Sequence, residues 1–115
     1  MREEPRVIYQ VTDFDRGRDF YKRLLGFDET FVDFDERWAT LSRGAMHIAV
    51  THGEPNPEAG VAMVDVDDVK AEADRLRDEG VHVGTVVELA GQMRLVDVFD
   101  PDGNRIQLAQ PLDGA

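Results

Sequence analysis

The sequence predicts an α+β domain made of two tandem βαβββ modules whose mixed sheets cup around a cavity. Three observations lead there. Two segments about half a chain apart open in the same way. Each continues into a stretch of helical period closed by a glycine, and three strand-like runs follow each helix.

The first segment runs Val7-Ile8-Tyr9-Gln10-Val11-Thr12-Asp13 and the second Val61-Ala62-Met63-Val64-Asp65-Val66-Asp67-Asp68, an offset of about 55 residues. Helices are expected from Asp15 to Leu25, with Phe14, Tyr21, Leu24 and Leu25 as the apolar stripe, and from Val69 to Glu79, with Val69, Ala73 and Leu76. Gly26 and Gly80 stop them. Strands are expected over 27–34, 37–43 and 46–52, then over 81–89, 92–99 and 104–110. The turns between them are Asp35-Glu36, Ser42-Arg43-Gly44, Ala90-Gly91 and Asp100-Pro101-Asp102-Gly103-Asn104. The proline- and glycine-bearing stretch from His52 to Gly60 reads as a linker with its boundary near residue 56, so one domain comprises modules of about 6–54 and 60–110.

A four-stranded sheet with one helix leaves one face open. In the run 46–52, Met46, Ile48 and Val50 are expected under the helix, with His47, Ala49 and Thr51 on the other face. In the run 104–110, Ile106 and Leu108 are core and Arg105, Gln107 and Ala109 lie opposite. Second faces of this mixed kind point to a small-molecule cavity. Gln10, His47, Met63, Asp65, Arg105 and Gln107 are its expected lining, with Trp38 near the rim, although for Met63 core packing is the preferred role. His47 is the candidate general base or hydrogen-bond donor, while His52 and His82 are expected in solvent. Asp65, Asp67 and Asp68 suit the start of the second helix, where carboxylates cap.

Composition narrows the function. A formal net charge of −11 disfavours nucleic acid as a partner; it reads as a solvated acidic surface that aids solubility or, as the alternative, as an acidic cavity that attracts a cationic ligand. There are no cysteines, which removes disulfides, thiolate metal sites and a cysteine nucleophile. No apolar run approaches the roughly 20 residues of a membrane span, and the charged start Met1-Arg2-Glu3-Glu4-Pro5 lacks a secretory apolar region, so a cytoplasmic location is expected.

The pattern Val11-Thr12-Asp13, then Phe20-Tyr21-Lys22-Arg23-Leu24-Leu25-Gly26-Phe27, resembles the opening of vicinal oxygen chelate proteins, the glyoxalase, bleomycin resistance and dioxygenase superfamily. Val64-Asp65-Val66-Asp67-Asp68, and Asp100-Pro101-Asp102-Gly103-Asn104 followed by Ile106-Gln107-Leu108, resemble its second-half signatures, so the likeness covers residues 6 to 110. It implies two cupped sheets around a ligand cavity and a homodimer. It also implies four metal ligands, carried onto Arg6, Ala49 (with His47 two positions away), Val61 and Gln107. Arginine, alanine and valine offer no donor, so no metal and no other cofactor is expected. Two functions follow from the resemblance. One is a binding protein that sequesters a small amphipathic or cationic molecule. The other is an enzyme of the lyase, isomerase or dioxygenase type, working without metal through His47 and Gln107 or through a metal site outside these positions. Arg6 and Arg105 oppose the cationic reading, since guanidinium groups in a groove select carboxylates or phosphates.

Overall fold

A computed structural model describes residues 5, 7–56 and 60–112. Arg6, the residues at the module boundary from 57 to 59 and the charged N-terminal start from 1 to 4 lie outside the described residues. The first module comprises β1 (Val7–Val11), α1 (Phe14–Asp19), a π-helical turn (Phe20–Leu24), β2 (Asp28–Asp33), β3 (Trp38–Arg43) and β4 (Met46–His52). The second comprises β5 (Ala62–Asp65), α2 (Val69–Asp78), β6 (His82–Val83), β7 (Val87–Leu89), β8 (Met93–Phe99) and β9 (Arg105–Pro111). Two open mixed sheets result, ordered β1-β4-β3-β2 and β5-β9-β8-β6, with β7 also on β8. β1 runs parallel to β4 and β5 parallel to β9, while the other pairings are antiparallel.

Two expectations change. The single helix over 15–25 is a short α-helix followed by a π turn, in which the amide of Leu25 reaches back to the carbonyl of Phe20. The strand over 81–89 is broken into β6 and β7 just after Gly84, whose amide still binds the Asp97 carbonyl on β8 while its own carbonyl is taken by the Arg77 guanidinium. The first module has its counterpart at the same place, a bulge in β2 between Glu29 and Phe31. The helix ends follow the sequence. Asp13 and Asp68 accept from the amides of Arg16 and Ala71 as N-caps, and Gly26 and Gly80 take the left-handed φ of +70° and +85° that a side chain resists. Of the three acidic residues before α2, Asp68 is therefore the cap, and Asp65 is free for another role.

Alternation turns Val7, Tyr9, Val11, Leu41, Ile48 and Val50 from the first sheet, and Val64, Val96, Val98, Ile106 and Leu108 from the second, towards the helices. They join Phe20, Tyr21, Leu25, Val69, Ala73 and Leu76 in one core that crosses both modules. Helix and sheet touch closely: a Cβ on Gly17 would come 2.8 Å from Val11.

Polar groups lock the modules together. Tyr9 stacks on Tyr21 at 5.5 Å, and its hydroxyl donates to the Arg105 carbonyl at 2.6 Å while accepting the Ala62 amide at 2.9 Å. The buried Asp100 accepts from the Tyr21 hydroxyl, the Asn104 side chain and the amides of Asp102 and Asn104, and Asn104 in turn donates to the Gln10 carbonyl. At the opposite junction Arg43, beside the β3–β4 turn, binds the Leu25 carbonyl and Glu72 of α2, which also holds Arg75.

Burial pushes the Tyr9 phenol up to about 12, and burial with the neighbouring Asp100 carboxylate pushes Tyr21 well above the usual range. Both folded values exceed the ordinary value of about 10. Their stabilising contribution is therefore complete below about pH 10 and is lost as pH rises through the folded values. The urea midpoint should hold steady to about pH 10 and fall towards pH 12. Tyr9→Phe should lower stability by about 1–3 kcal/mol, because the Ala62 amide loses its acceptor, and should also flatten the alkaline fall. An unchanged alkaline slope in that variant would count against the assignment.

Candidate functional site

The face of each sheet away from the helices carries every second strand residue. On the first sheet the cross-strand rows are Gln10–Thr51–Trp38–Asp33, Ile8–Ala49–Thr40–Phe31 and His47–Ser42–Asp28. On the second they are Asp65–Ala109–Leu95–Val87, Met63–Gln107–Asp97 and Arg105–Phe99–His82. The two sets superimpose through the internal repeat: β1 and β4 register as β5 and β9 do, so Ala49 corresponds to Gln107, His47 to Arg105, Ile8 to Met63 and Gln10 to Asp65.

All seven residues expected at the site stand on these faces, but in two groups. Gln10, Trp38 and His47 belong to the first sheet, and Met63, Asp65, Arg105 and Gln107 to the second. Met63 is 43% exposed, which removes core packing as its role. The Gln10 amide leans over Gly53, where a Cβ would sit 2.7 Å from its oxygen. Trp38 and His47 are half-buried. His52 and His82 are exposed, as expected, and the His82 ring stacks on Phe99 at 4.6 Å.

One residue missed by the sequence reading organises the second face. Asp97 accepts from the Arg105 guanidinium at 3.3 Å and from the Gln107 amide at 3.2 Å, so a single carboxylate joins two of the expected site residues. The alternation Val96-Asp97-Val98 already turned Asp97 away from the core, but only the β8–β9 register sets it opposite Gln107. Ile8, Phe31, Val87 and Leu89 were also missed. They are more than two-fifths exposed on the helix-free faces, where soluble chains rarely leave several large apolar side chains uncovered.

Charge is distributed unevenly. Arg18 is bound to Glu29, Arg43 to Glu72 and Arg94 to Glu88, all away from the open faces. The Arg18 hydrogen bonds hold the Glu29 carboxyl below its usual range. Among the described strand positions of the open faces, Arg105 is the one arginine or lysine, set against Asp28, Asp33, Asp65 and Asp97, and Asp97 offsets it.

The donor set does not suit a metal at the positions implied by the resemblance. The Ala49 and Val61 side chains carry no donor atom, which leaves Gln107, a single neutral amide oxygen, to hold an ion. Among the described residues no group of three or more His, Asp or Glu side chains converges to hold an ion. Arg6, the fourth position, lies outside the described residues.

The family model of the Glyoxalase/Bleomycin resistance protein/Dioxygenase superfamily matches residues 5–108. Similar solved structures include a member of that superfamily from Sphaerobacter thermophilus DSM 20745, 21% identical with TM-score 0.77 over 96% of this chain and 98% of the other. TnmS3, an antibiotic binding protein from Streptomyces sp. CB03234, is 25% identical, TM-score 0.72, over 96% and 97%. A bleomycin resistance determinant encoded on the transposon Tn5 is 21% identical, TM-score 0.72, over 96% and 98%. No curated protein matches the chain significantly.

Protein purified gently without an affinity tag should carry no stoichiometric nickel, zinc, iron or manganese. Elemental analysis tests this, and one tightly held ion per chain would overturn the donor-set argument.

Proposed function

The chain belongs to the Glyoxalase/Bleomycin resistance protein/Dioxygenase superfamily, and from that premise we propose that it is a non-enzymatic binding protein for a small amphipathic cation held on the open sheet faces. The observation that carries this reading is the make-up of those faces. Among the described strand positions, exposed Ile8, Phe31, Met63, Val87 and Leu89 supply apolar area, and aspartates outnumber the one arginine, Arg105, which is paired. Asp65 offers the clearest seat for a positive group, because Leu95 and Val87 continue its row and Met63 stands two residues before it on β5. The two relatives named for antibiotic binding and bleomycin resistance support the same class of role. A lyase, isomerase or dioxygenase activity would need a group that activates substrate, and membership of a fold family does not supply one.

A second copy of the chain would cover part of the exposed apolar surface, and we infer a homodimer on that ground. A cysteine-free acidic chain suits the cytoplasm.

Two measurements test the reading. Light scattering at micromolar concentration should return twice the chain mass, and a monomer throughout that range would refute the dimer. Titration of matched aromatic cations and anions, followed by calorimetry and Trp38 fluorescence, should show tighter binding of the cation. Added salt should weaken it, since screening shortens the reach of charge to about 8 Å at physiological ionic strength. Asp65→Asn should lower cation affinity about five-fold, the worth of an accessible ion pair near 1 kcal/mol. If anions bind more tightly and Arg105→Ala abolishes that preference, the arginine controls the face and the cationic reading fails.

A further inference from the structure

A cavity of about 450 Å3 opens where the modules meet, between the first helix with its π turn, the residues after α2, and the β8–β9 turn. Small-molecule sites span roughly 300–1,000 Å3. Phe20, Leu24 and Phe99 give its lining an apolar part, and His82, whose ring stacks on that of Phe99, lines it too. Phe20 and Leu24 are the two ends of the π turn. Such turns sacrifice helical hydrogen-bond geometry and recur where a helix serves a site.

The charges around the cavity fall into two kinds. Some are already satisfied: Arg23 is paired with Asp19 at 3.2 Å, and the oxygens of Asp100 are occupied by the hydrogen bonds described above. The others are Arg16 on the first helix and Glu79 at the C-terminal end of α2, neither of which has an ion-pair partner among the described residues. The carbonyl end of α2 adds negative potential on the Glu79 side. Both side chains are exposed and both line the cavity.

We propose that this cavity is a second small-molecule site, separate from Asp65 and its row, that takes a zwitterion of the aromatic α-amino acid class. Arg16 receives the carboxylate, Glu79 receives the ammonium group, and the ring lies on Phe99 beside Phe20 and Leu24. A ligand with only one of the two charges leaves either Arg16 or Glu79 without a partner and binds more weakly.

The test uses L-phenylalanine as probe, with 3-phenylpropionate and phenethylamine as its single-charge counterparts. Calorimetry and the NMR signals of the His82 ring report binding. L-phenylalanine should bind about ten-fold more tightly than either counterpart, the worth of one charge-assisted hydrogen bond. Arg16→Ala and Glu79→Gln, both surface changes that leave the core intact, should each remove about that factor. Asp65→Asn should leave L-phenylalanine affinity unchanged, which separates this site from the open face. The proposal is overturned by the absence of saturable shifts at His82 with millimolar L-phenylalanine, by equal affinity for the three probes, by full binding in both cavity variants, or by loss of binding in Asp65→Asn.

Discussion

A sheet has two faces, and each half of this chain brings one helix to cover them. α1 with its π turn, and α2, cover one face of each sheet, and the residues beneath them alternate accordingly: Val7, Tyr9 and Val11 inward, Ile8 and Gln10 outward. The same constraint accounts for the single core. The covered faces share one apolar cluster across the modules, which each module alone is too small to form well. It also accounts for the mixed character of the other faces, where large apolar residues stand exposed between threonines, glutamines and aspartates. Among the described residues both helices are used on the covered faces, and the proposed binding role rests on the other two.

The two junctions between modules differ in physical kind. Asp100 is buried, and its cost is met by hydrogen bonds from Tyr21, Asn104 and two amides, so the loss of any partner leaves a desolvated polar group behind. Arg43 and Glu72 meet at a part-exposed site, where water compensates for much of what an ion pair supplies. The alignment of β1 with the β8–β9 turn therefore rests on the buried network. That network includes the Gln10 carbonyl and, through Tyr9, the Arg105 carbonyl, so it sets the positions of two residues whose side chains belong to the open faces.

Much of this was legible in the sequence, and the reasons are local. Alternation placed Ile48 and Val50 against His47 and Thr51, the caps and glycines bounded the helices, and the half-chain repeat set the module count. The π turn and the break between β6 and β7 were not legible, because each leaves the hydrophobic pattern unchanged. Asp65 read equally well as a cap and as a face residue, and only the length of β5 decided between them. Asp97 was hidden for a further reason. A charged residue between two valines shows which face it takes, but not which strand neighbours it meets.

The internal repeat sharpens the functional reading. Equivalent backbone positions hold Ala49 and Gln107, His47 and Arg105, Gln10 and Asp65, and Trp38 and Leu95, so the duplicated frame persists while its side chains have diverged in size, charge and donor capacity. An ion that takes ligands from both halves requires several donor atoms that converge on one point with set geometry. A binding face makes no such demand, because apolar area, one unopposed carboxylate and a few hydrogen-bonding groups serve wherever they fall. The first face is built around small Ala49 and Thr40 with Ile8 and Phe31 beside them, whereas the second carries the Asp97, Arg105 and Gln107 cluster. Exposed apolar side chains stand on both faces, Ile8 and Phe31 on the first and Met63, Val87 and Leu89 on the second, so the proposed binding role asks only for features that both halves retain.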